Sequence, residues 1–164
     1  MSITIGPARP EDFPKVLALL ERSHLPADGL ADHRDGLLVA RDSDAVVGSA
    51  ALEVYGDAAL LRSVAVDEGV RGQGLGQRLT DAALELARGR GIHQVYLLTE
   101  TAADFFPRFG FRPVARTEVA AEVQQSVEFT SVCPVSALVM LREITDYTEH
   151  TQSVAPTWVG SEVE

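Results

Sequence analysis

A glycine-rich run, Arg71, Gly72, Gln73, Gly74, Leu75, Gly76, separates an extended apolar segment (residues 58–67) from a segment with helical spacing. In the latter, Leu75, Leu79, Ala82, Ala83, Leu86 and Ala87 form one apolar face, which Gly89 and Gly91 end. A strand that turns directly into a helix leaves the first helical N–H groups without acceptors, and the helix dipole adds positive potential there. Glycines let a phosphate oxygen approach that backbone unobstructed. Arg71 adds a charge-assisted contact. Two common phosphate motifs fail on spacing. A nucleotide P-loop needs Gly-Lys-Ser/Thr, but Gln77 and Arg78 follow Gly76. A dinucleotide fingerprint needs a third glycine three places after Gly74, where Gln77 stands.

The rest of the chain frames this loop. Residues 2–8 alternate as a short strand, and Pro10 opens a helical pattern through Phe13, Val16, Leu17, Leu19 and Leu20. Residues 24–34 read as a loop with one irregular turn. Residues 36–41, 45–55 and 58–67 read as strands joined by tight turns, hence antiparallel hairpins. After the loop helix, residues 94–99 predict a strand, 102–109 a helix, 111–114 a strand, 117–125 a helix and 136–143 a last strand. Residues 145–164 are polar and acidic, with Pro156 and an isolated Trp158 that could anchor on a neighbouring subunit. The expected organisation is one α+β domain over residues 1–144, with a mixed sheet of six to seven strands, and a tail over 145–164.

Composition narrows the function. The 164 residues carry a formal charge of −10, and no basic face is visible, which argues against a nucleic-acid partner. Lys15 is the only lysine, a bias that fits a salt-adapted proteome and arginine-codon preference equally well. No apolar run approaches the roughly 20 residues of a membrane span, and residues 1–10 lack a signal layout, so a cytoplasmic protein is expected. The single cysteine, Cys133, excludes an internal disulfide and suits a reducing compartment. The histidines show no metal spacing, so no metal site is expected.

Arg71-x-x-Gly74-x-Gly76 resembles Q/R-x-x-G-x-G/A, the pyrophosphate loop of the GCN5-related N-acetyltransferases (GNAT). Downstream, T-E-T-A-A-D-F-F-P-R-F-G-F over residues 99–111 resembles the family's N-x-x-A-x-x-L-Y-x-K-x-G-F. Shorter stretches around Glu53, Arg62–Ser63, Thr99 and Glu128–Ala137 look like the acetyltransferases that accompany arsenic-resistance genes. The resemblance implies a sheet splayed between its fourth and fifth strands, with helices on both faces. It implies acetyl-CoA as cosubstrate, held by Val64, Ala65, Val66, Arg71, Gly72, Gln73, Gly74, Leu75 and Gly76. Thr99, Ala102, Phe105 and Phe106 would line the pantetheine sleeve. The acceptor would be a small amine-bearing molecule, with an arsenic-linked one as the narrower expectation. A homodimer is a further expectation, since strand edges left open by the splay often pair in this fold.

Direct attack of an amine on the thioester needs a base, a donor to the carbonyl oxygen and a proton for the thiolate. Glu53 is the preferred base, and the Val66 N–H the expected oxygen donor. Arg62 either pairs with Glu53 or holds an anionic substrate, and Ser63 and Phe129 join it on the acceptor side. Phe106 stands where the family places its proton-donating tyrosine, and phenylalanine donates none. Cys133 is a candidate for protonating the thiolate or touching a soft atom such as arsenic; its plainer reading is a small buried hydrophobe. A module that binds CoA without catalysis is the competing function.

Overall fold

The computed structural model describes residues 2–100, 102–126, 128–129 and 137–144. Its strands are β1 (Ile3–Pro7), β2 (Leu37–Asp42), β3 (Ala45–Tyr55), β4 (Ala58–Val66), β5 (Gln94–Thr99), β6 (Arg112–Val114) and β7 (Leu138–Glu143). They form one sheet in the order β1-β2-β3-β4-β5-β7-β6. Every neighbouring pair is antiparallel except β4 with β5. This is the expected α+β GNAT fold.

Two helices cover opposite faces. Alternation along β2 and β3 sends Leu38, Ala40, Val47 and Leu52 to α2 (Leu75–Gly89), where they meet Leu75, Leu79 and Ala83. Leu37, Val39, Val46 and Ala51 go to the other face and pack on Val16, Leu19 and Leu20 of α1 (Phe13–Arg22). Gly48 lets α2 sit close to the sheet, because a Cβ there would lie 2.8 Å from Leu79 Cδ1. A third cluster, built on Leu60, Tyr96, Val119, Val123 and Leu141, fills the far half under residues 116–125.

Three predicted segments differ. The helix expected from Pro10 starts as a 3-10 turn, Pro10–Asp12, because the Asp12 carboxylate turns back to accept from the Arg9 N–H at 2.7 Å. The helix expected over 102–109 shrinks to the 3-10 turn Phe106–Phe109, where Pro107 lacks the N–H that an α-helix interior needs. Residues 117–125 give two 3-10 turns, Arg116–Glu118 and Val123–Gln125, separated by an extended Val119. The loop expected over residues 24–34 ends in an irregular 3-10 stretch, Leu30–Gly36, kinked at His33. The tail with Trp158, and Cys133, lie outside the described residues.

The feature that positions the site is where β4 and β5 part. They pair only through Ala58–Leu60 against Gln94–Tyr96. Beyond that, β4 stays with β3 while β5 stays with β7, so the sheet opens. A bulge in β4 turns the strand at this point: Ser49 faces Ala65 and Ala51 faces Arg62, leaving Ser63 and Val64 opposite Ala50 alone. Ser63 takes a left-handed backbone conformation (φ 59°), and the Ser49 hydroxyl donates to its carbonyl at 2.7 Å.

Candidate functional site

A cleft of about 530 Å³ lies in the splay. Arg62, Ser63, Val64, Ala65 and Val66 of β4 form one wall, and Leu97, Leu98, Thr99, Ala102 and Phe106 the other. Residues 23–26, after α1, and Glu128 with Ala137 also line it, while Arg71 stands at the loop end. The structure therefore brings eight of the residues expected from sequence together with Arg71. Glu53, Phe105, Phe129 and the glycines of the loop do not line this cleft.

The loop itself has anion-binding geometry. Gly72 and Gly74 adopt φ of 84° and 78°, in the left-handed region that glycine enters without strain. Gly74 precedes α2 directly, so the N–H groups of Leu75, Gly76 and Gln77 point out of the helix start. Arg71 donates from Nε to the Val66 carbonyl at 3.1 Å, which ties its exposed side chain to the end of β4. Because the Asp67 N–H donates to Val47 of β3, the Val66 N–H, one residue back, faces the splayed edge. These residues fit a pyrophosphate at the helix start, with an extended chain leading from it into the splay.

The aromatic residues are arranged behind the loop. The Phe105 ring lies beside Gly76, where a Cβ would meet it at 3.5 Å. It packs edge-on against Phe106, with centroids 5.0 Å apart. Only Phe106 reaches the cleft. Thr99 accepts the Ala102 N–H on its hydroxyl at 2.9 Å and so fixes the turn after β5. That is the work a side-chain cap performs, and it explains a small polar residue there.

Beside Glu128 a buried arginine organises three segments. Arg62 has no exposed side-chain surface, and it donates to Glu53 Oε2 at 2.7 Å. Its other contacts are the carbonyls of Asp28 (2.7 Å) and Pro26 (3.1 Å), the Ser63 hydroxyl (3.1 Å) and Glu128 Oε2 (3.2 Å). Glu53 Oε1 accepts from the Tyr55 hydroxyl at 2.6 Å and lies 3.9 Å from His33 Nε2. Burial alone would push the Glu53 carboxyl up, but hydrogen bonds from Ser126, Tyr55 and Arg62 together hold it below its ordinary value. Burial, and then the bond to Glu53, push the Tyr55 phenol well up.

Two of the expected site residues are engaged with each other in this geometry. Glu53 was read as a cleft base; it is 1% exposed, stands behind Arg62, and has both oxygens engaged. A carboxylate held so firmly in its charged form is a weak proton acceptor. Arg62 was read as a possible anion receptor; its fork is already filled by five protein acceptors. The cross-strand pair that the sequence offered as one reading of Arg62 is what forms. Glu128 was not among the candidates, yet it lines the cleft. It follows a short turn with no sequence periodicity, so no local pattern singled it out.

Among the described residues, no three His, Cys, Asp or Glu side chains group to hold a metal, and no helix is long and apolar enough to cross a membrane.

Comparison with known proteins agrees with the fold. Residues 33–113 match the model of the acetyltransferase (GNAT) domain. An amino-acid acetyltransferase of Mycobacterium tuberculosis is 42% identical over 80 residues, which cover 48% of this chain and 45% of that protein. A mycothiol acetyltransferase of Beutenbergia cavernae is 38% identical over 88 residues, 51% of this chain and 27% of that one. The chain thus spans less than half the length of either curated relative. A solved Mycobacterium tuberculosis protein in complex with CoA is 28% identical, covering 87% of this chain and 99% of that chain with a TM-score of 0.73. Residues 33–113, just under half of the chain, are thus similar to a GNAT acetyltransferase domain, and the fold around them is similar to that of the solved protein in complex with CoA.

Proposed function

We propose that this chain is an N-acetyltransferase that moves the acetyl group of acetyl-CoA to the amine of a small molecule. One observation carries the reading: the cleft opened by the parting of β4 from β5 reaches Arg71, at the head of the loop that leads into α2. In this reading the backbone from Gly72 to Gly76, with Gln73 and Leu75, holds the pyrophosphate, and Arg71 adds a charge. The pantetheine arm lies along Val64, Ala65 and Val66 as an added strand, with Thr99, Ala102 and Phe106 opposite and Phe105 behind. The solved relative in complex with CoA supports this donor.

The rate gain then comes mainly from holding thioester and amine in one cleft. The Val66 N–H, facing the splay, donates to the thioester oxygen as charge develops on it. Phe106 shields this region from water but supplies no proton, so the thiolate is protonated by another group or by water. The curated relatives, named for amino-acid and mycothiol acetylation, support a small amine-bearing acceptor. The formal charge of −10 favours such an acceptor over nucleic acid. An arsenic-bearing amine is the narrower acceptor suggested by the sequence, with Cys133 as the residue that would meet it.

A thiol-release assay with acetyl-CoA tests the reading, using a panel of primary alkylamines, amino acids, their amides and an organoarsenical amine. The expected result is amine-dependent release above the hydrolytic background, with an acetylated amine as product. CoA binding without release on any amine would instead favour the non-catalytic module.

A further inference from the structure

We propose that Arg62 sets which amines the cleft accepts, as a positioning residue that spaces the cleft wall without touching the substrate. This deepens the N-acetyltransferase reading above and rests on it.

One wall of the cleft contains a piece of chain with few bonds of its own. Residues 23–26 line the cleft. Up to Leu25 they are tied to the end of α1, where the Leu25 N–H donates to the Leu20 carbonyl at 2.9 Å. From Leu30 onward the chain is held by 3-10 turns, and Leu30 is fully buried. Between these points, among the described residues, no backbone N–H of residues 26–29 reaches a backbone acceptor. Leu25 and Ala27 pack on the cluster around α1, which anchors one side of the piece. The other side hangs on Arg62. Its Nη2 donates to the Pro26 carbonyl at 3.1 Å and its Nη1 to the Asp28 carbonyl at 2.7 Å.

The same guanidinium reaches the rest of the wall. Nε donates to the hydroxyl of Ser63, the left-handed residue in the bulge of β4, at 3.1 Å. It also lies 3.2 Å from Glu128 Oε2. Nη1 donates in addition to Glu53 Oε2 at 2.7 Å, which fixes the group to β3. Pro26, Ser63 and Glu128 all line the cleft. Pieces of wall far apart in sequence thus take their spacing from one rigid plane of nitrogens.

In the N-acetyltransferase reading, the phosphates sit by Arg71 and the pantetheine arm runs back along Val66, Ala65 and Val64. Its acetyl end then points towards Ser63, and the amine meets it between Pro26, Ser63 and Glu128. Arg62 has no exposed side-chain surface, so it acts on the amine only through where its neighbours stand. A shift of about 1 Å in such a wall can cost about 100-fold in rate. A well-fitted pocket also separates amines that differ by one methylene, by about 10–200-fold. A wall that gives way would admit the longer amine with little penalty.

Arg62→Lys tests this, because it keeps the charge and the stem but offers one nitrogen in place of three. The readout is the ratio of kcat/KM for the fastest amine of the panel to that for its homologue one methylene longer. A loss of folded protein lowers both values equally and cancels from the ratio. In the variant the ratio should fall about threefold or more, and the KM for the fastest amine should rise about tenfold. The acetyl-CoA KM should stay within about twofold, since Arg71 and the loop glycines are untouched. A variant whose urea midpoint drops while the ratio holds would show that Arg62 serves folding alone, and would overturn the proposal. If Arg62→Lys does not fold, Glu53→Gln takes its place, since it keeps Arg62 and the local shape but removes the charge behind its bond to β3. The ratio should then fall about twofold, and an unchanged ratio overturns the proposal. CoA binding with no turnover on any amine in wild type would remove the enzyme reading and this inference with it. An unchanged ratio in an active enzyme removes this inference alone.

Discussion

Arg62 shows how one buried residue can hold a cleft wall together. Its guanidinium joins β3 through Glu53, the segment after α1 through the Pro26 and Asp28 carbonyls, and the segment before β7 through Glu128. Replacing it with Met, of similar length, leaves two buried carboxylates facing an apolar stem. Removing one partner of a buried pair costs about 3–5 kcal/mol, a large share of the roughly 5–15 kcal/mol that holds a domain folded. Arg62→Met should therefore lower the urea midpoint sharply, and an unchanged midpoint would show that the hub is not structural. The Glu53–Arg62 pair was legible in the sequence because the two residues sit on successive strands of a short-turn hairpin, where cross-strand neighbours follow from counting. Glu128 was not legible in that way. It shows no sequence periodicity, and its place beside Arg62 is set by a chain path that local patterns do not encode.

At the scale of elements, what could be read were the long amphipathic segments and the glycine loop. α2 and the β2–β4 hairpins declare themselves through period and turn chemistry, and α2 then fixes where the anion site must lie. The short turns after β5 were misread because apolar residues at helical spacing around Pro107 imitate a helix that the missing N–H forbids. The loop offers a test at its own scale. A Cβ on Gly74 would meet nothing within 4 Å, so the cost of a side chain there is conformational rather than steric. Holding Val at φ 78° costs about 1–2 kcal/mol. The free loop can escape that strain by changing shape, but CoA binding must restore it. Gly74→Val should thus raise the acetyl-CoA KM about tenfold while leaving the melting temperature nearly unchanged. An unaltered KM would mean that the phosphates bind elsewhere.

For the whole molecule, the decisive electrostatics are the buried pairs on either side of the sheet's midline rather than the surface excess of acid. Asp12, at the start of the α1 region, is 2% exposed, and Arg41 of β2 grips its carboxylate with two donors. Arg41 also donates to the Pro7 carbonyl at 3.1 Å, so this pair locks the first strand, the first helix and β2 together. The Arg41 hydrogen bond lowers the Asp12 carboxyl below its ordinary value of 3.8, against the burial that raises it. Glu53 is likewise held below 4.5. For a group whose folded value is depressed, the unfolded chain binds the proton first as pH falls. The stability from Asp12 and Glu53 is therefore complete above about pH 5 and drains away as pH drops through their folded values. Asp12→Asn separates this pair from general acid effects. At neutral pH the variant leaves Arg41 buried without its counter-charge and should lose about 3 kcal/mol. As pH falls through the ordinary value of 3.8, the unfolded wild-type chain takes up a proton that folded Asp12 still resists, so the gap between the two melting temperatures should narrow steadily on acidification. A gap that stays constant from pH 7 to 3 (about four units) would mean the Asp12 charge contributes nothing, and that the side chain acts only by shape and neutral hydrogen bonding.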